Sequence, residues 1–117
     1  MEEILSKNNI KYFHGKTWDW LTYSSYQHVD FYLPDYNVVI ECQGIQHFES
    51  IDFFGGENGF KYRLERDKNK KDLCEKHGIK VVYFSNLSTE TEKYQYPYKV
   101  YEDEYKLFKE ELNLIIN

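Results

Sequence analysis

Runs of β-branched and aromatic residues predict two adjacent strands in the first half of the chain. The first run covers residues 28–33 and the second covers residues 38–43. Pro34, Asp35 and Asn37 lie between the runs, and these residue types favour a tight turn because Pro presets φ while Asp and Asn bond the local backbone. The pattern therefore predicts a β-hairpin, in which alternate side chains face opposite sides of a sheet.

The rest of the chain alternates helical and extended patterns. The predicted elements are a helix at 2–7, strands at 10–14 and 17–23, a loop at 24–27, a helix at 59–76 stopped by Gly78, a buried strand at 79–84, an irregular stretch at 86–100 and a final helix at 101–116. This order predicts an α+β (mixed α/β) fold whose central, mostly antiparallel sheet is flanked by helices.

Composition is that of one globular domain. The chain has 117 residues, 41% hydrophobic and 30% charged, which predicts a single domain over residues 1–117 with a buried core. No apolar run approaches the roughly 20 residues of a membrane span, and the sequence from Met1 to Ile4 is not a signal peptide. Cys42 and Cys74 lack metal-ligand spacing, which excludes a zinc ribbon and favours a reducing, cytoplasmic setting without a disulfide framework.

The charge is unevenly distributed. Residues 61–80 carry eight Lys or Arg and four Asp or Glu, a balance of +4, whereas the other 97 residues have a balance of −9. A basic segment on an acidic body can contact phosphate, although charge alone would not bind long DNA tightly.

The register of the hairpin brings two carboxylates together. If the four-residue loop joins Leu33 to Val38, Asp30 lies opposite Glu41 on one face of the sheet. Opposed side chains have Cβ atoms about 4.5–5.5 Å apart, and like charges there are destabilising. A lysine partner or a divalent cation would offset this repulsion, and two carboxylates suit Mg²⁺. Both alternatives remain open from the residues alone, and a shift of one residue would separate the pair.

Residues after the hairpin supply further candidates. His47 follows the second strand and could take a proton from water or contact a phosphate oxygen, although a lone histidine is more often an ordinary surface or core residue. In the 59–76 helix, Asp67 and Lys71 interrupt an otherwise apolar stripe. Packing of that stripe on the sheet would direct Asp67 toward His47 and Lys71 toward phosphate, whereas a rotated helix would leave both beside the core. The helix also has a predicted solvated face that can contact backbone phosphates, formed by Arg63, Arg66, Lys68 and Lys70.

Together these segments resemble a known family. Residues 28–47 (HVDFYLPDYNVVIECQGIQH) and 64–84 (LERDKNKKDLCEKHGIKVVYF) resemble the PD-(D/E)XK nuclease superfamily. The similarity is greatest to the branch of very-short-patch mismatch repair endonucleases and related homing endonucleases, and to small phage and bacterial proteins with the same motifs. It covers a core of about residues 1–85 and not the helical extension at about 101–116. The resemblance implies a restriction-endonuclease-like fold.

The resemblance also implies an activity and a set of site residues. The activity is Mg²⁺- or Mn²⁺-dependent hydrolysis of DNA phosphodiester bonds, with Asp30 and Glu41 as metal ligands. Gln43 stands where the superfamily commonly has lysine, so the electrophilic role at that position is in doubt. His47 corresponds to a histidine near the scissile phosphate, and Asp67 to the acidic residue of the following helix. Arg63, Arg66 and Lys71 remain the predicted phosphate and DNA contacts.

Departures from the family pattern favour an alternative. The helical glutamate that often completes the metal site has no match, because Glu2 and Glu3 align with later helical positions. The zinc ligands of the repair enzymes are also not reproduced. The alternative is a catalytically inactive nuclease-fold module that binds DNA or a protein partner, and a toxin or regulator acting on RNA ranks last. No sequence-reading motif is present, so specific cleavage would need a dimer, a separate recognition partner or further N-terminal residues.

Overall fold

The computed structural model describes residues 1–43, 56–85 and 96–116. Its elements are α1 (Glu2–Lys7), β1 (Phe13–Lys16), β2 (Thr22–Tyr23), β3 (Ser25–Tyr26), β4 (Val29–Leu33), β5 (Val38–Cys42), α2 (Gly56–Lys76), β6 (Lys80–Phe84), β7 (Val100–Tyr101), α3 (Glu104–Leu107), a π-helical segment (Phe108–Leu112) and α4 (Asn113–Ile116).

A five-stranded sheet forms the centre of the protein. Its strand order is β1-β4-β5-β6-β7, and β2 with β3 makes a separate two-stranded sheet. Strands β1, β4 and β5 are antiparallel neighbours, whereas β6 runs parallel to β5 and β7 runs parallel to β6. Helix α2 is the crossover that a parallel β5–β6 pair requires. The α+β class, with a central sheet flanked by helices, is confirmed.

The predicted hairpin register is confirmed. Phe31 pairs with Ile40 and Leu33 with Val38, as a four-residue loop requires. Asn37 adopts a positive φ of 53° at the end of this loop, a conformation that asparagine tolerates better than most residues. Its side chain also accepts a hydrogen bond of 2.5 Å from the hydroxyl of Tyr32. Turn chemistry and strand pairing therefore specify the same register.

Two hydrophobic clusters cover the two faces of the sheet. On one face, α1 and the C-terminal helical segment pack on the hairpin through residues such as Leu5, Ile40 and Leu107. On the other face, Val39 and Tyr83 pack with Cys74 of α2. All six of these residues are at most 4% exposed. Side chains of β5 that share the face of Val39 are thus enclosed beneath α2.

The strand predicted at 17–23 is wrong over most of its length. The backbone N–H of Leu21 bonds the carbonyl of Trp18, which closes a turn, and only Thr22–Tyr23 is extended. Trp18 and Trp20 stack with ring centroids 4.9 Å apart. In this stretch a turn packs its large side chains against the second cluster. The resulting alternation of apolar and polar residues has the same period as a strand, which is why the prediction failed.

Three other boundaries differ from the prediction. The strand predicted at 10–14 is shifted to Phe13–Lys16, and the loop predicted at 24–27 contains the short strand β3. The helix predicted from 101 begins at Glu104, because Tyr101 extends the sheet through its carbonyl to the N–H of Ser85. The Asp103 side chain then caps α3 by accepting from the N–H of Lys106.

The long helix ends at the predicted residue and begins three residues before its predicted start. It begins at Gly56 and ends at Lys76, and Gly78 follows with a φ of 76°, the left-handed conformation that favours glycine after a helix. None of the helices in the described ranges has the length and apolarity needed to cross a lipid bilayer.

Candidate functional site

The two carboxylates of the hairpin lie next to each other, one residue beyond the paired residues Phe31 and Ile40. The backbone N–H of Asp30 donates to Glu41 Oε2 at 2.9 Å, and the N–H of Cys42 donates to Asp30 Oδ2 at 2.8 Å. These reciprocal bonds hold both side chains across the β4–β5 pair. Glu41 is only 3% exposed, whereas Asp30 is half-buried. The structure thus brings together the two residues that the sequence placed opposite each other.

Lys70 of α2 completes this group. Its ammonium Nζ donates to Glu41 Oε1 at 2.6 Å and to the carbonyl of His28 at 2.7 Å. The ion pair is well enclosed, with side-chain exposures of 19% for Lys70 and 5% for Glu41. A buried charge is tolerated when it is paired and hydrogen-bonded. Of the two remedies for carboxylate repulsion, the structure contains the basic partner.

Sequence reasoning missed Lys70 by assigning it to the solvated face of the helix. It lies three residues after Asp67 and four before Cys74, the two buried residues of α2. Residues at such spacings share one helix face. This spacing could have identified Lys70 from the sequence. It also fits Lys71, however, and only the rotation of the packed helix distinguishes the two lysines.

Burial dominates the electrostatics of Glu41. Desolvation raises the pKa of this carboxyl from 4.5 to about 8, the Lys70 charge opposes the rise, and the Asp30 charge adds to it. Glu41 also faces Tyr83 of β6 and Cys74 of α2. Burial raises the pKa of both, that of Cys74 to about 11, so both remain neutral near pH 7. A strongly shifted carboxyl with a specific charge partner is a common feature of functional sites.

A second polar group lies beside the first. The Tyr96 hydroxyl donates to Asp67 Oδ2 at 2.8 Å, and Gln43 Nε2 donates to the Tyr96 oxygen at 2.6 Å and to Asp67 Oδ2 at 3.4 Å. Burial, followed by the Asp67 charge, raises the pKa of Tyr96, so the phenol keeps its proton. Tyr96 was not among the predicted site residues, since it lies in the stretch predicted to be irregular. The group fixes the Gln43 amide close to the end of β5.

Replacement of Tyr96 by phenylalanine tests this second group. We expect the free energy of unfolding to fall by about 1–3 kcal/mol, because Asp67 and Gln43 lose a partner in a buried position. Urea unfolding of the two proteins measures the difference. Tyr26→Phe is the matched control, since Tyr26 is 55% exposed and should change stability by no more than about 0.5 kcal/mol. Equal effects of the two changes would contradict a stabilising role for the Tyr96 hydroxyl.

The remaining predicted site residues are His47, Arg63, Arg66 and Lys71. His47 lies outside the described residues, so its predicted contact with Asp67 stays a prediction. Arg63 and Arg66 are half-buried on α2, and the Arg66 guanidinium lies 5.8 Å from the ring centroid of Tyr62. Lys71 pairs with Glu75 and lies 5.3 Å from the ring centroid of Tyr98. Its described contacts are therefore not with the hairpin carboxylates.

The two carboxylates of the hairpin are the kind of ligand that a divalent cation binds. Mg²⁺ is commonly bound by one or two carboxylates, with waters and phosphate oxygens filling its other positions. Among the described residues, no donor reaches Asp30 Oδ1, whereas both Glu41 oxygens accept hydrogen bonds. Nor do these residues contain any cluster of three or more His, Cys, Asp or Glu side chains suited to a metal. A cation at Asp30 and Glu41 would share with Lys70 the role of neutralising Glu41.

Comparisons with known proteins give one partial match. A segment of 56 residues is 38% identical to "Uncharacterized protein 094L" of Frog virus 3 (isolate Goorha), covering 46% of this chain. The segment spans 36% of the viral protein, so this chain matches about a third of that relative's length. No protein-family model matches the chain, and no solved structure matches it.

Proposed function

We propose that this protein is a metal-dependent DNA endonuclease that hydrolyses phosphodiester bonds. The observation that carries the proposal is the contact between Asp30 and Glu41 across the hairpin, with the Lys70 ammonium 2.6 Å from Glu41. Two carboxylates for a cation, and a cationic side chain for a phosphate oxygen, are the groups that phosphodiester hydrolysis needs. The resemblance to PD-(D/E)XK nucleases supports the same chemistry.

Each polar group has a distinct proposed role. Asp30 and Glu41 would hold Mg²⁺ or Mn²⁺, which when bound acts as a Lewis acid and lowers the pKa of a coordinated water. Two N–H groups of the Lys70 ammonium donate to Glu41 and His28, and the third can donate to a phosphate oxygen. Lys70 would thereby supply the positive charge that Gln43 lacks. The Gln43 amide, fixed by Tyr96 and Asp67, would position water or substrate.

The remaining proposals concern DNA contacts, cleavage specificity and the cellular compartment. Arg63 and Arg66 of α2 would contact the DNA backbone, and His47 would act as a base or phosphate contact. Backbone contacts carry no sequence information, so specific cleavage would require a dimer or a separate recognition partner. Free thiols at Cys42 and Cys74 suit a cytoplasmic protein, which is the compartment we propose.

A plasmid assay tests the proposed activity. Supercoiled plasmid and single-stranded DNA are incubated with the protein in Mg²⁺, in Mn²⁺ and in EDTA, and nicked and linear products are separated on agarose gels. We expect nicking or cleavage that depends on the metal. Glu41→Ala should remove it, whereas Asp35→Asn in the exposed hairpin turn should not. Cleavage that persists equally in EDTA and in Glu41→Ala would refute the proposal.

A second candidate is an inactive nuclease-fold module that binds DNA or a protein. The Lys70–Glu41 contact favours it, because the buried carboxyl has a basic partner and a raised pKa, and so needs no cation to be stable. The glutamine at position 43, where related nucleases commonly have lysine, favours it as well.

A metal titration separates the two candidates. If the carboxylates bind Mg²⁺, a tenfold excess over the dissociation constant stabilises the fold by about 1.4 kcal/mol. The melting temperature should then rise by roughly 5 °C for a domain of this size. The shift should disappear in Asp30→Asn and persist in Asp35→Asn, as measured by differential scanning fluorimetry. No shift in the unaltered protein up to about 20 mM Mg²⁺ or Mn²⁺, well above ordinary site affinities, would favour the inactive module.

A further inference from the structure

A cavity opens at the edge of the sheet, next to the part of β6 that precedes the start of β7. Strand β7 pairs with β6 only at Tyr83 and Phe84. The residues of β6 before Tyr83 are therefore not paired with β7. A cavity of about 370 Å³ lies there, lined on the strand side by Val81 and Val82. That volume lies at the lower end of the range for small-molecule sites.

The backbone of β6 directs polar groups into this cavity. The N–H of Lys80 bonds the Asn37 carbonyl at the β5 side, whereas the N–H of Ser85 bonds Tyr101 at the β7 side. Because successive residues of a strand direct their N–H and C=O groups to alternate sides, Val81 points its N–H away from β5. Val81 precedes the residues that β7 pairs with and lines the cavity, so its N–H is directed to the side of the strand where the cavity lies.

The side chains around the cavity are mainly cationic. Three lysines line it, Lys71, Lys80 and Lys99, against a single acidic residue, Glu111. Lys80 pairs with Glu111, which also accepts a hydrogen bond of 2.7 Å from the Tyr101 hydroxyl. Burial would raise the pKa of Glu111, but these two hydrogen bonds hold it below its ordinary value. Glu111 is therefore ionised and neutralised by Lys80. Lys71 likewise pairs with Glu75 of its own helix, and Lys99 adds a further positive charge to the wall of the cavity.

Rings and apolar groups form the rest of the wall. Tyr98 stacks on Tyr83 with ring centroids 5.4 Å apart, and the Lys71 ammonium lies 5.3 Å from the Tyr98 centroid. The Lys99 ammonium lies 4.6 Å from the Tyr101 centroid. These cation–π contacts hold both ammonium groups over the walls of the cavity. An anionic group could bond the lysines while an attached apolar or planar part packs on the valines.

We propose that this cavity binds a single nucleotide, with its phosphate at Lys71, Lys99 and the Val81 N–H. The sugar and base would then pack against Val82, Pro97 and Tyr98. Lysine ammonium groups and backbone N–H groups are common phosphate donors. Stacking and apolar contact accept any base, so the site would not select among sequences.

The position of the cavity relates it to the candidate catalytic site. Tyr83, which lines the cavity, is the register partner of Glu41 on the neighbouring strand. Neighbouring strands lie about 4.8 Å apart. Lys71 also follows Lys70, which bonds Glu41. A nucleotide in the cavity would therefore be separated from Glu41 by β6 and from Asp30 by β5 and β6, and its identification as part of a DNA strand rests on the proposed function.

Calorimetric titration without metal tests the site. Thymidine 5′-monophosphate, thymidine and inorganic phosphate are titrated separately into the protein in EDTA. We expect the monophosphate to bind more tightly than either of its parts. Lys71→Gln and Lys99→Gln should each weaken its binding about tenfold, since each removes a charged donor. Lys76→Gln, on the same helix but outside the cavity, is the matched control and should leave binding unchanged, with circular dichroism verifying that every variant is folded.

Several results would overturn the inference. They are a lack of binding at 10 mM monophosphate, equal binding of monophosphate and inorganic phosphate, or equal losses in the cavity variants and Lys76→Gln. The plasmid assay keeps this outcome separate from the proposed function. Metal-dependent cleavage without cavity-dependent binding would refute the cavity site alone, whereas binding without cleavage would refute the endonuclease alone.

Discussion

Replacement of Asp30 by asparagine is expected to reduce metal-dependent DNA cleavage by about 10³-fold or more. The carboxylate is half-buried beside Glu41, and it is the member of the pair with an oxygen that no described residue bonds. A bound cation contributes several kcal/mol to such a reaction, and each 1.36 kcal/mol corresponds to a factor of ten in rate. Loss of one of only two proposed ligands should therefore remove nearly all cleavage.

The same substitution should leave the fold intact. Asparagine keeps an oxygen that can accept the N–H of Cys42, and it removes a negative charge that disfavours ionisation of Glu41. The melting temperature should therefore be unchanged or raised. Supercoiled plasmid cleavage and thermal unfolding are measured on the same preparations, with Asp35→Asn as the control. If Asp30→Asn unfolds the protein, or cleaves as well as the unaltered chain does, the metal assignment is wrong.

Stability should fall as the pH rises from about 5 to 8, and Glu41 should account for much of the fall. Its carboxyl has a pKa of about 8 in the folded protein, against 4.5 for an exposed glutamate. Between these values the folded state holds a proton that the unfolded chain releases. The stabilisation is complete below pH 4.5 and is lost as the pH rises through about 8, a change on the order of a few kcal/mol. Glu41→Gln should remove this slope.

Removal of the Lys70 ammonium should lower the free energy of unfolding by an amount that depends on pH. In Lys70→Met, the Glu41 carboxylate and the His28 carbonyl each lose a donor. Breaking a buried ion pair costs about 3–5 kcal/mol. At pH 9 the full cost should appear, whereas at pH 6 Glu41 is protonated in the folded protein and the cost should be smaller.

Urea unfolding at pH 6 and pH 9 measures these differences. Lys76→Met is the matched control on the exposed part of α2, and the double variant Lys70→Met with Glu41→Gln should recover most of the loss because no buried charge remains. Equal effects of Lys70→Met at the two pH values, or an effect no larger than that of Lys76→Met, would contradict the enclosed ion pair described above.

The correct and incorrect predictions have different physical origins. The hairpin was predictable because its turn residues and its period of two both act over a few neighbouring residues, and together they specify that Asp30 lies beside Glu41. Helix α1, the end of α2 before Gly78 and the strand β6 depend on equally local signals. The alternation around Trp18 misled because a turn that packs on the core can repeat the same pattern, and Tyr101 became a strand residue only because β6 offered it a partner.

The sequence alone determined the α+β class, the hairpin register and the pairing of two acidic side chains, since each follows from spacing along the chain. Only the tertiary structure decided which lysine neutralises Glu41, because Lys70 and Lys71 are equivalent until α2 is rotated against the sheet. It likewise brought Tyr96 to Asp67 across 29 residues and left the first residues of β6 unpaired with β7. Contacts of this kind depend on how packed elements meet, which no local period encodes.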